Sequence, residues 1–243
     1  MGVDWLFPFA NLEHAVRTFL HSRLVPAALC LLAANAFALS LNDLSNTDAT
    51  SGLRAALEKG SSAAVGKLGQ ENGFLNNEKV HIPLPRILEK ARPLLEMSGR
   101  GQQLNELEAA MNHAAEAAVP MAKPLLMDAI KSLTVTDAKN ILSGGETSVT
   151  DFFRERTGSK LSVQFLPIVK RVTDRSSLSA KFNGAVGQVN KFGVGKAPAS
   201  VEAYVTERAV DGLFVMIAEE EKEIRRDPIG TGSKILRKVF GAL

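Results

Sequence analysis

The sequence predicts an all-α fold, a single-domain irregular bundle of about eight to ten helices around one long central helix at about 199–226. Three observations predict it. Apolar residues recur at three- and four-residue spacing in one segment after another, while no segment alternates cleanly with period two. Gly, Asn and Pro interrupt those segments at helical lengths. The stretch 198–228 combines a helix start, a helix stop and an apolar middle.

That stretch defines the central helix. Ser200 is placed to cap its N-terminus, and Glu202 falls in the first turn, where the helix dipole favours an acid. Arg225 and Arg226 occupy the last turn and Pro228 stops the helix. Val210, Leu213, Ile217 and Ile224 form an apolar stripe, which Val205, Ala209, Phe214 and Ala218 widen. Only Asp211 is charged between Val210 and Ala218, so the middle of the helix is expected at the centre of the bundle.

The N-terminal 38 residues read as a leader. Leu24–Ala34 is an uncharged apolar run preceded by Arg17 and Arg23, and it leads to the small-x-small sequence Ala36-Phe37-Ala38. This is the pattern of a secretory signal peptide cleaved after Ala38, with an uncleaved anchor as the alternative. The segment ahead of the apolar run is long and carries Asp4 and Glu13, so the expected start lies downstream, near Val16. Cys30 follows Leu29, which does not fit a lipoprotein signal.

Cleavage would leave 243 − 38 = 205 residues, without the single Cys and the single Trp (Trp5). The expected mature chain has no disulfide and no thiol chemistry. The leader holds two acids and two bases, so the net charge stays at +3. That mild charge and an exported setting argue against nucleic acid as a partner. The expected location is periplasmic or peripherally envelope-associated.

Helix follows helix from there. Asp48 is placed to cap a helix to about Leu68, with Gly69 ending it. Asn72-Gly73 and Asn76-Asn77 mark a turn-rich loop. Val80–Pro85 is the one extended stretch, because Pro83 and Pro85 restrict the residues before them. Further helices are expected at Arg86–Met97, at Gln102–Val119, and from Pro120 through Leu133. Thr136 would cap Asp137–Leu142, and Thr147 or Ser148 would cap Val149–Arg156. Leu161–Val172, Leu178–Phe192 and a last short helix, Thr231–Phe240, complete the set.

Several segments together resemble the uncharacterised bacterial DUF4197 family: LSLNDLS (39–45), GFLNNEKVHIPLP (73–85), AMNHAAEAAVPMAKPLL (110–126), DAKNILSGG (137–145), FLPIVK (165–170), DGLFVMIAEEEKEIRRDP (211–228) and TGSKILRKVFG (231–241). The resemblance covers essentially the whole expected mature chain, in order. It implies an exported, all-helical protein of Gram-negative type bacteria, and it brings no catalytic or ligand residues with it. The longer leader departs from the family pattern.

Chemistry-bearing residues are few. His81 and His113 are the only imidazoles after cleavage. His113 and Glu116 share a helix face at i,i+3, the spacing of one half of a di-iron motif but in reversed order and one copy, so the bland expectation is surface polarity. His81 is expected to satisfy a loop carbonyl. Glu219, Glu220, Glu221 and Glu223 form an acidic run, expected to be a solvated or ion-paired face, with Glu221 and Arg225 matched at i,i+4. The sharper alternative is a carboxylate cluster that holds Arg or Lys from a neighbouring helix or a divalent cation. Asp211 lies in an apolar run and either faces outward between Arg208 and Val215 or is buried with a cationic or backbone-donor partner, the buried pair being the favoured expectation. Ser143–Ser148 could bind an anion at a helix N-terminus, but a C-cap followed by an N-cap explains it more simply.

The C-terminal segment is amphipathic. Ile235, Leu236, Val239, Phe240 and Leu243 fall on one side, and Lys234, Arg237 and Lys238 on the other, after a joint at Gly230 and Gly232. It would close the core or contact an anionic membrane or a partner. The reading is a non-enzymatic exported envelope protein that binds a hydrophobic ligand, a lipid surface or an envelope partner, with no cofactor. The alternative is an enzyme or divalent-metal protein using the Glu219–Glu223 run with His113.

Overall fold

The computed structural model describes residues 46–190, 198 and 200–227. The expected leader, the segment 39–45, most of the linker before the central helix and the expected helix Thr231–Phe240 lie outside these residues. The chain divides into the units Met1–Ala38 and Leu39–Leu243, and every described residue belongs to the second.

Among the described residues the fold is all-α. Its helices are α1 (Asn46–Leu68), α2 (Arg86–Met97), α3 (Gly101–Ala118), α4 (Ala122–Lys131), α5 (Val135–Ser143), α6 (Ser148–Arg175), α7 (Leu178–Asn190) and α8 (Val201–Arg226), with a 3-10 turn at Val119–Met121 before α4. None of them is long and apolar enough to cross a membrane.

α8 occupies the centre, packing on α6, α1, α3, α7 and the 3-10 turn. Ser200 caps it, its side chain accepting the N–H of Ala203 at 3.1 Å. Val205, Ala209, Leu213 and Phe214 have no exposed surface, and Ile217 has 2 %. The apolar stripe thus faces inward on several sides at once, as a helix with few polar residues in its middle requires. Gly212 is needed there: a Cβ would stand 2.7 Å from the ring of Phe74, which the absent side chain lets press onto α8.

Three expected boundaries are corrected. α1 starts at Asn46, ahead of Asp48. α5 is capped by Thr134 and not Thr136; Thr134 and Asp137 form a reciprocal capping box that fixes the start two residues earlier. The largest correction is α6. The two expected helices Val149–Arg156 and Leu161–Val172 are one helix of 28 residues that runs through Gly158 and Pro167. One interior glycine costs a helix about 1 kcal/mol, whereas burying Phe153, Leu161 and Phe165 on one continuous face stabilises it by about 1.5–3 kcal/mol each. Burial wins, and α6 and α8 form an antiparallel pair in which Arg154 meets Asp211 and Thr173 meets Glu202.

Candidate functional site

A row of polar residues on α3 holds the connection between α1 and α2. Glu108, Asn112 and Glu116 stand at successive i,i+4 positions, on one face of the helix. Glu116 is 5 % exposed, which corrects the expectation of a surface pair. Its carboxylate accepts the backbone N–H groups of Asn72 at 3.2 Å, Phe74 at 3.0 Å and Leu75 at 3.1 Å, and lies 2.8 Å from His113 Nδ1. Asn72 adopts φ 62, so the loop turns its amides toward one point and the carboxylate fills the concavity.

Asn112 has no exposed surface. Its Oδ1 accepts the N–H of Ile82 at 2.9 Å and its Nδ2 donates to the carbonyl of Ile82 at 2.9 Å. One amide side chain therefore does for the extended stretch what a neighbouring strand would do. Tyr204 Oη on α8 donates to the carbonyl of Pro83 at 3.0 Å. His81 contacts a loop carbonyl as expected: Nδ1 lies 2.9 Å from Leu75 O, and Nε2 lies 2.7 Å from Glu108 Oε1. Arg92 joins Glu108 at 2.9 Å and Glu89 at 2.9 Å, and the Glu89 and Glu108 carboxylates together raise its guanidinium well above the ordinary range, against the opposing effect of burial.

The acidic run on α8 divides by function. Glu219 binds Lys79, whose ammonium holds the Glu219 carboxyl below the usual carboxylate range. Glu220 pairs with Lys67 at 2.5 Å and Glu223 with Arg226 at 2.8 Å. Glu219 and Glu220 thus tie the loop and α1 to α8, whereas the Glu223–Arg226 pair lies within α8. Glu221 is different, with 4 % exposure. It accepts the N–H of Val149 at 3.0 Å, the N–H and hydroxyl of Thr150 at 3.1 Å each, and the Arg225 guanidinium at 3.0 Å. The turn at Ser143–Ser148 thus leads into a helix N-terminus that already holds an anion, the protein's own Glu221.

Asp211 is not buried, contrary to expectation. Its side chain is 48 % exposed and lies 3.3 Å from Arg154, which also stands 4.6 Å from the centre of the Phe214 ring. The helix turns the Asp211 position outward between its buried faces, so no buried charge needs compensation. His113, Asp211 and Glu221 therefore engage three separate places: the α1–α2 loop, the flank of α6, and the N-terminus of α6. Among the described residues no three His, Cys, Asp or Glu side chains form a metal-binding group. Lys234, Ile235, Arg237, Lys238 and Phe240, the expected membrane or partner contacts, lie outside the described residues.

Asp211 and Arg154 stand in an open groove of about 620 Å³ between α6 and α8. Its apolar lining includes Val163, Leu166, Val210 and Phe214; Val163 is 74 % exposed and Leu166 43 %. Thr206 lines it too. That residue is 5 % exposed, and its hydroxyl is buried with no hydrogen-bond partner among the described residues. Nothing in the sequence around Thr206 marked it; its position on the α8 face that meets α6 is the only signal. Glu221 and Asn112 carried a clearer one, since each is a polar residue among the apolar positions of its helix.

No curated protein and no solved structure matches the chain. The family model described as a protein of unknown function, DUF4197, matches residues 43–241. That span takes in every described helix, the polar row of α3 and Glu221, and the chain belongs to the DUF4197 family.

Proposed function

We propose that this is an exported, non-catalytic binding protein of the bacterial envelope, whose α6–α8 groove takes an apolar small molecule. The observation that carries the reading is the groove itself: exposed Val163 and Leu166 beside Phe214, with the buried Thr206 hydroxyl unpaired among the described residues. Apolar lining with a few placed polar groups is the usual composition of a ligand site. The engagement of Glu116 and Glu221 by backbone amides favours a structural role for them over catalysis.

Titration with the neutral dye Nile red tests the groove. Val163→Asp should weaken binding at least tenfold while leaving the helical circular dichroism intact. Equal affinity in Val163→Asp and wild type rejects the groove as the site. Export is tested by N-terminal sequencing of periplasmic protein, which should begin at Leu39; a product that retains Trp5 rejects cleavage. Co-sedimentation with anionic liposomes that is lost on deletion of 231–243 would favour a lipid surface over a small molecule.

A further inference from the structure

α2, α3 and α7 enclose a second concavity, of about 410 Å³, which shares no lining residue with the α6–α8 groove. Its floor is apolar: Leu95, Leu104 and Leu107 are each 3 % exposed or less. Arg100, Lys181 and Glu106 stand around it. Lys181 lies 3.3 Å from Glu106. The Arg100 guanidinium has no carboxylate, carbonyl or ring partner among the described residues. Among the described residues, two cations and one acid leave one positive charge over an apolar floor.

Two further features agree in sign and shape. Arg100 is the N-cap residue of α3, with no side-chain cap, and the first turn of α3 carries no acid. The positive end of the helix dipole therefore adds to the guanidinium at this spot. Gly184 lines the cavity from within α7, and a Cβ there would meet nothing within 4 Å. A glycine inside a helix weakens it, and no neighbour requires its absence of a side chain. Its effect on the structure is to leave the cavity open.

We propose that this cavity binds a monoanionic amphiphile, an alkyl carboxylate of about octanoate size. The carboxylate sits on Arg100, whose planar fork matches it in two parallel hydrogen bonds. Lys181 adds a second cation at the rim, and the alkyl chain lies along Leu95, Leu104 and Leu107. The volume falls within the roughly 300–1,000 Å³ of small-molecule sites. The inference is independent of the α6–α8 groove.

Calorimetric titration of the full chain with octanoate tests it, with octanol and acetate as the chain-only and charge-only probes. One octanoate per protein is expected, with octanol and acetate each at least tenfold weaker. Arg100→Gln should weaken octanoate at least tenfold. Gly184→Leu should abolish binding by filling the cavity, with a melting temperature at or above that of wild type. Val163→Asp, in the other groove, should leave octanoate affinity unchanged. Absence of octanoate binding by the folded wild type overturns the proposal, as does equal affinity for acetate or full binding by folded Gly184→Leu. If Gly184→Leu does not fold, unchanged affinity in Arg100→Gln overturns it alone.

Discussion

The Glu221 carboxylate of α8 accepts the backbone N–H of Val149 at 3.0 Å, at the start of α6, and so seals the antiparallel α6–α8 pair at one end. The first N–H groups of a helix have no partner within it. Here the anion that satisfies two of them comes from the central helix, with Arg225 as its counter-charge.

Glu221→Leu should therefore cost about 3–5 kcal/mol, because it removes the counter-charge of Arg225, which keeps its contacts to Ser148 and the Ile141 carbonyl, and strands the buried amides of Val149 and Thr150. Glu221→Gln keeps an acceptor oxygen and should cost about half of that. Urea denaturation of both variants measures the difference. Equal stability of Glu221→Leu and wild type would show that the α6 amides find another partner.

Glu116 makes the second such contact, on a loop instead of a helix. Glu116→Ala leaves the amides of Asn72, Phe74 and Leu75 unpaired and should cost about 2–4 kcal/mol. Those three amides should exchange hydrogen faster than in wild type, while exchange at Leu126 in α4 changes less. His113→Ala removes the partially exposed imidazole and leaves all three amide bonds, so it should change stability by about 0.5 kcal/mol or less.

How far the sequence reached can be judged from these residues. The apolar spacing of α8 revealed the central helix because burial and periodicity report the same thing. It also placed Ser200 at its N-terminus. α6 was divided at Gly158 because local propensity there opposes the tertiary burial that overrides it. Of the row Glu108–Asn112–Glu116, only Glu116 was singled out, through its spacing from His113. The loop that the row holds was not visible, since it lies 30 to 42 residues earlier and pairs through backbone groups that leave no mark in side-chain pattern. Asp211 was read as buried because its neighbours in sequence are, although on a helix the next residue faces about 100° away.

Stability should depend on pH through Asp137. The backbone N–H and hydroxyl of Thr134 donate to its carboxylate at 3.0 and 2.8 Å and, with Arg156, hold its carboxyl below the usual range against a small opposing effect of burial. A depressed folded pKa stabilises the fold above the unfolded value, roughly 3.9 for Asp, and that contribution fades as pH falls through the folded value. Asp137→Ala should cost about 1 kcal/mol at pH 7. The gap should be the same at pH 5 and narrow in acid below about pH 3.9. A gap that stays constant into that range would mean the carboxylate charge is irrelevant to the cap.

Thr206 separates stability from binding. Its hydroxyl is buried at the α6–α8 groove without a partner among the described residues, a state that costs about 1–3 kcal/mol. Valine has nearly the same shape and the same β-branching, and it removes the polar atom. Thr206→Val should therefore raise stability by about 1 kcal/mol, or leave it unchanged if a water reaches the hydroxyl. A core-filling threonine would show no more than this. If instead the hydroxyl is the polar anchor of the groove, the same substitution should reduce the amount of any apolar species that co-purifies with the protein. Nile red, which is held by the apolar lining alone, should bind as before. Thermal melting, Nile red titration and mass spectrometry of solvent extracts from wild type and Thr206→Val read these outcomes separately. A gain in stability with the co-purifying species retained would assign Thr206 to packing and leave the groove to Val163, Leu166 and Phe214.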